Sequence, residues 1–157
     1  MKPDIGLTEK QLHKSISPLT SLLSDEMVLY CKTRKFHWNV SGESFMELHK
    51  LFQAQYTQIE ETIDQIAERI SKLGGKTIGT MKEFLKHTRL EEHPDEYAGQ
   101  QDLMKELLKD HETIIKETRK DIENSEGKNH DAATIDMLTK IMEQHESTSW
   151  ILRRYLL

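Results

Sequence analysis

Cysteine is almost missing from this chain. Among 157 residues there is one, Cys31. A single cysteine excludes an internal disulfide framework and suits a reducing cytoplasm; by itself it reads as a small buried residue. Proline and glycine are scarce as well, at three and seven residues. With 36% hydrophobic and 31% charged residues, that is the composition of a soluble, helix-rich protein rather than a β-sandwich or a disordered chain. Long apolar runs are lacking. The opening "MKPDIGLTEK" has no apolar stretch of the kind that targets a chain for export, and nothing approaches a membrane span. An excess of basic residues is lacking too. The formal net charge is −5, which argues against non-specific binding to nucleic acid and favours attraction of cations.

What is present is helical periodicity over most of the length. One domain of residues 1–157 is expected, since the chain is long enough for a core of its own. Thr8-Glu9-Lys10-Gln11 forms a capping-box pattern, and Leu12, Ile16, Leu19, Leu23 and Met27 follow at steps of three and four. A first helix is expected from about Thr8 to Trp38. Pro18 interrupts it, as a kink or as a fresh start. Asn39-Val40-Ser41-Gly42 is a tight turn. A second helix from about Ser44 to Leu73 carries a stripe of Phe45, Leu48, Phe52, Tyr56, Ile59, Ile63, Ile66 and Ile70, and Gly74-Gly75 ends it.

Residues 76–99 are too many for a plain bundle loop. They contain a second capping box, Thr80-Met81-Lys82-Glu83, before Phe84 and Leu85, so a short extra helix is expected there. A third long helix over about Gln100–Ser125 and a fourth from about Asp131 onward complete the set, with a break at Gly127. The fold class expected is all-α: a ferritin-like four-helix bundle with a short extra helix in the long crossover.

Such bundles hold di-iron sites through Glu-x-x-His pairs on two helices. The residues three before the eight histidines are Lys10, Arg34, Met46, Phe84, Leu90, Leu108, Gly127 and Met142. None is glutamate, so that internal motif is absent. A different constellation remains. His37 ends the first helix, and His49 lies in the second turn of the next. Asp64 and Glu68, four apart, share a helix face. On one helix His49 and Asp64 would stand ~22 Å apart, too far to share a metal. A second chain with its helix antiparallel could bring the halves together about a two-fold axis. Imidazoles plus carboxylates suit Fe(II), with Zn(II) as an alternative.

The stretch "KTRKFHWNVSGESFMELHKLF", followed by "DQIAERI", resembles the Dps proteins, the mini-ferritins. "LGG" after the second helix, "DHE" at Asp110-His111-Glu112, and "TIDMLTKIMEQHESTSWILRRYL" are similar as well, so the resemblance covers nearly the whole chain. It implies a hollow homo-dodecamer with ferroxidase sites at its two-fold interfaces. These sites oxidise Fe(II), commonly with hydrogen peroxide and otherwise with oxygen, and ferric mineral is stored inside. Carried over residue by residue, His37 and His49 would be catalytic metal ligands from one subunit. Asp64 and Glu68 would come from its partner. The resemblance gives Trp38 a role in intercepting stray oxidising equivalents; the plainer reading is a core or interface aromatic. His111 and His145 read as hydrogen-bonded structural histidines. Glu126, Asp131 and Asp136 are candidates for an iron-entry pore, although Asp131 also suits a helix cap.

The competing readings are a DNA-compacting, nucleoid-associated protein that holds metal incidentally, and a helical adaptor with no catalysis. Tail charge separates the first of these. The segment before the first helix, "MKPDIGL", carries one lysine and one aspartate, and nothing basic follows "RRYLL". Few counterions would be released on a DNA backbone. Duplex DNA at neutral pH, physiological salt and no free divalent metal is therefore expected to migrate unretarded in a gel with this protein. Tight retardation that survives such salt would overturn that expectation.

Overall fold

The computed structural model describes residues 3–125 and 131–157. Five helices appear in the order α1 (Glu9–Asn39), α2 (Phe45–Lys72), α3 (Met81–His87), α4 (Gln100–Ser125) and α5 (Ala132–Tyr155), with no strand among the described residues. α1 packs on α2 and α4 on α5, while α1 also meets α3 and α4. The four long helices enclose one apolar cluster that includes Leu19, Leu22, Leu29, Phe52, Ile66, Leu107, Ile114 and Leu138. This is the all-α, ferritin-like arrangement expected from the periodicity. Among the described residues, no helix is long and apolar enough to cross a membrane.

Local chemistry sets the helix ends. The Thr8 hydroxyl accepts from the Gln11 amide at 3.4 Å, and the Gln11 side chain accepts from the Thr8 amide at 2.7 Å. Thr80 and Glu83 do the same for α3. Each box satisfies backbone donors that a helix start leaves bare. Pro18 neither ends α1 nor restarts it; the helix continues through it. At the far end of α2, Gly74 takes φ 80°. Its amide donates to Ser71 O at 2.9 Å, and the Gly75 amide reaches back to Ile70 O at 3.0 Å. These two bonds form a Schellman stop, which needs the left-handed residue that glycine supplies. Gly127, the expected break between the last two long helices, lies outside the described residues.

The α2 stripe departs from expectation at one place. Phe45 is exposed rather than inward, because it is the first residue of α2, where the hairpin turn has not yet brought the helix against α1. Its ring leans on His49 instead, with centroids 5.2 Å apart.

The crossover is lashed to α1 by charge. Asp25 is fully buried. Its carboxylate accepts from the Thr88 hydroxyl (2.9 Å), the Arg89 amide (2.6 Å) and the Arg89 guanidinium (2.7 Å). Burial pushes this carboxyl above its usual range even against the pull of Arg89. Two turns further along α1, Lys32 donates to Glu91 O at 2.8 Å and pairs with Glu106 and Asp110 of α4. Lys35 then holds His93 O at 2.9 Å. Removing the carboxylate leaves the Thr88 and Arg89 donors short of their acceptor, while Arg89 keeps Asp121 at 3.0 Å, at a cost of about 1–3 kcal/mol. Asp25→Ala is therefore expected to lower stability by roughly that amount. Chemical denaturation would check it, and a loss below about 1 kcal/mol would mean the carboxylate does not hold the crossover.

Candidate metal centre

The α1–α2 turn brings two of the four expected site residues together. Gly42 takes φ 112°, and the chain reverses within a few residues, so the last turn of α1 faces the first turns of α2. His37 is buried and His49 half-buried. Their rings stack, with centroids 3.7 Å apart and planes 21° from parallel.

Their hydrogen bonds are reciprocal. His37 Nδ1–H donates to the backbone carbonyl of His49 at 2.8 Å, and His49 Nδ1–H donates to the carbonyl of His37 at 2.9 Å. A carbonyl only accepts, so both Nδ1 atoms must carry hydrogen. In a neutral imidazole that leaves the lone pair on Nε2. A backbone acceptor on the far nitrogen is the usual way a metal-ligating histidine is oriented. The turn thus yields two imidazoles locked in the tautomer that ligates through Nε2.

The two carboxylates lie elsewhere. Asp64 and Glu68 are exposed on α2, fifteen residues beyond His49 in the case of Asp64. At the helical rise that is ~22 Å. Glu68 is paired with Lys72 at 2.7 Å, and this bond holds its carboxyl below the usual range. Among the described residues of the single chain, no three His, Cys, Asp or Glu side chains converge on a point that could hold a metal ion. The two imidazoles and the two carboxylates therefore stand toward opposite ends of α2.

Several other expected residues have definite places. Trp38 is 65% exposed, so it is not a core aromatic of this chain. Asp131 caps α5, accepting from the Thr134 amide at 3.2 Å, and both its oxygens bond Arg69 at 2.7 and 2.8 Å. Burial works against its charge, but Thr134 and Arg69 outweigh it and keep the carboxyl below its usual range. Asp136 is exposed and pairs with Lys140 at 2.6 Å. Glu126 lies outside the described residues. His111 and His145 are buried and bond each other, Nδ1 to Nδ1, at 2.8 Å.

Sequence reasoning missed an aromatic cluster beside His37. The Tyr56 ring stands edge-on to His37 with centroids 5.3 Å apart, and Tyr30 stands edge-on to Tyr56 at 6.2 Å. The Arg34 guanidinium sits 4.6 Å from Tyr56, 5.3 Å from Trp38 and 5.4 Å from Tyr30, and donates to the Tyr30 hydroxyl at 2.7 Å. The spacing of four between Tyr30, Arg34 and Trp38 on α1 was the available signal.

The ferritin-like domain model matches residues 16–157. The chain belongs to the ferritin-like family. Its relatives place it among the Dps proteins. A DNA protection during starvation protein of Bacillus anthracis is 35% identical, over 90% of this chain and 95% of that one. A low temperature-induced protein of Nostoc is 39% identical, over 98% and 86%. The crystal structure of the Dps protein from Vibrio cholerae, described as a member of the ferritin-like diiron-carboxylate superfamily, superposes with a TM-score of 0.92. It is 29% identical and covers 99% of this chain and 97% of that one.

The tautomer assignment can be tested in this Dps protein without metal. Neutron diffraction from a deuterated crystal should place deuterium on Nδ1 of both His37 and His49 and none on Nε2. Deuterium on Nε2 of either ring, with Nδ1 bare, would contradict the reciprocal bonds.

Proposed function

We propose that this protein is a ferroxidase and iron-storing mini-ferritin. The observation that carries the reading is the pair of Nε2 lone pairs at His37 and His49, set ~22 Å along α2 from Asp64 and Glu68. In a dodecameric shell with two-fold interfaces, antiparallel α2 helices would bring the imidazole half of one subunit to the carboxylate half of another. Family membership and the descriptions of the relatives support the iron chemistry. Ligation by neutral imidazole and carboxylate leaves positions open for oxidant.

The reaction balances simply. Two Fe(II) ions each give one electron to one hydrogen peroxide. Its O–O bond breaks, two protons are taken up, and two waters leave with two Fe(III). Oxygen is the other oxidant of the same chemistry. His37 and His49 bind the ferrous substrate through nitrogens that carry no proton to displace. Glu68, already held in its anionic form by Lys72, offers a charged oxygen, and Asp64 on the same face a second carboxylate. The ferric product is stored as mineral, in a reducing cytoplasm where free Fe(II) and peroxide together would generate radicals. DNA binding is weak or absent in this reading, since a net charge of −5 opposes a phosphate backbone.

Subunit complementation tests who supplies the ligands. One variant carries His37→Ala and His49→Ala; the other carries Asp64→Asn and Glu68→Gln. Each alone should oxidise Fe(II) poorly, because every site lacks half its ligands. Co-assembled at random, about half the dimers are hybrids, and each hybrid rebuilds one good site of two, so activity should recover to roughly a quarter of wild type. Co-assembled shells of verified mass with no recovery would sink the two-chain site.

A further inference from the structure

The polar interior of the bundle is separate from the centre just described. Glu26 of α1 is fully buried, His111 of α4 and His145 of α5 nearly so, and Gln55 of α2 is 6% exposed. Glu26 Oε1 lies 2.6 Å from His145 Nε2, and His145 Nδ1 lies 2.8 Å from His111 Nδ1. Three sets of atoms in this group have no partner in the protein: Glu26 Oε2, both amide atoms of Gln55, and His111 Nε2. A buried carboxylate oxygen and a buried amide left unpaired are costly, and native structures place something against them.

Glu26, Gln55, His111 and His145 line a common cavity with Gln58, Gln144 and Thr148. Its volume of about 10 Å³ is about what one water-sized guest requires. The surroundings are rich in oxygen and nitrogen acceptors and include one carboxyl group, that of Glu26. Arginine and lysine do not line it. A monatomic cation satisfies these atoms better than a neutral guest, because it can take lone pairs from carboxyl, amide and imidazole at once.

We propose that this cavity is a mononuclear divalent-cation site inside each bundle, ligated by Glu26, His145 and the Gln55 carbonyl oxygen, and distinct from any site shared between chains. Imidazole nitrogen with carboxylate and amide oxygen selects a borderline transition-metal ion such as Fe(II), Co(II) or Zn(II). His111 serves as the outer partner. Without metal, His145 Nε2–H donates to Glu26, and His111 Nδ1–H donates to His145 Nδ1. With metal on His145 Nε2, each imidazole proton moves to its ring's other nitrogen. His145 Nδ1–H then donates to His111 Nδ1, and the metal-ligating ring keeps the second hydrogen bond such ligands require. No proton need leave the bundle. The ligands lack the Glu-x-x-His pattern of an internal di-iron centre, so a single ion is expected.

Cobalt(II) is the probe, because His-ligated Co(II) has visible absorption. A background variant, His37→Ala/His49→Ala/Asp64→Asn/Glu68→Gln, removes the half-sites on α2 and the turn. Dialysed anaerobically with Co(II), it should retain one ion per chain and show the visible band. Adding Glu26→Gln, which can still bond His145, should weaken that binding at least tenfold and abolish the band. A folded background variant that binds no Co(II), or a Glu26→Gln variant that binds it unchanged, would overturn the proposal. Wild-type crystals soaked in Co(II) give a reading that no substitution can disturb. Anomalous scattering between Glu26 and His145 is expected, and density there without anomalous signal, a water only, would overturn it too.

Discussion

Two backbone carbonyls hold the α1–α2 hairpin end of this molecule in register. The carbonyl of His37 falls in the last turn of α1, where no amide of the helix remains to bond it. The imidazole of His49 supplies the missing donor. The carbonyl of His49 belongs to α2 and takes a second bond, from His37. The helix end and the paired imidazoles are therefore one device. Satisfying the backbone forces both rings into the same tautomer and into a stack. A hairpin slipped by one residue would rotate one histidine about 100° around its helix and lose both bonds together.

α1 serves the rest of the molecule with its remaining faces. One face supplies Leu19, Leu22, Leu29 and Phe36 to the apolar cluster. Another carries Asp25, Lys32 and Lys35, which grip the crossover at Arg89, Glu91 and His93. Lys32 also reaches α4. Through that lysine the crossover and the second helical pair are fixed to the same rod that ends in His37. The position of the histidine stack relative to α4 and α5 is thus set by buried charge as much as by apolar packing.

Much of this was legible in the sequence, and the reasons differ by element. Thr8-x-x-Gln11, Thr80-x-x-Glu83 and Gly74-Gly75 announced helix ends because capping is local chemistry, complete within a few residues. The separation of His49 from Asp64 was legible because a helix is a ruler. Phe45 was misplaced because periodicity says which side a residue faces and not whether another helix has yet come near. The core polar group was half legible. His111 and His145 were expected to be buried and hydrogen-bonded. Glu26 sits four residues after Leu22 and three before Leu29, a core position for a charged residue. What could not be read was that Glu26 and His145, 119 residues apart, meet at 2.6 Å. Nor could the Arg89–Asp25 bond be read, since it joins a loop to a helix with no period between them.

The crossover is uneven in a way that bears on how the chain could be lengthened. Its first part is tied down as far as His93, through Asp25, Lys32 and Lys35. From Pro94 to Gly99 every residue is exposed and outside any helix, and Asp95 already takes a left-handed φ of 62°. A peptide spliced between residues 95 and 99 would disturb no helical hydrogen bond and no bond to Asp25. The α1–α2 turn offers no such freedom. A side chain at Gly42 would come within 3.0 Å of Gln100, and added length there would part the two imidazoles. For carrying a foreign loop on this scaffold, the short exposed stretch before α4 is the place where sequence can be added.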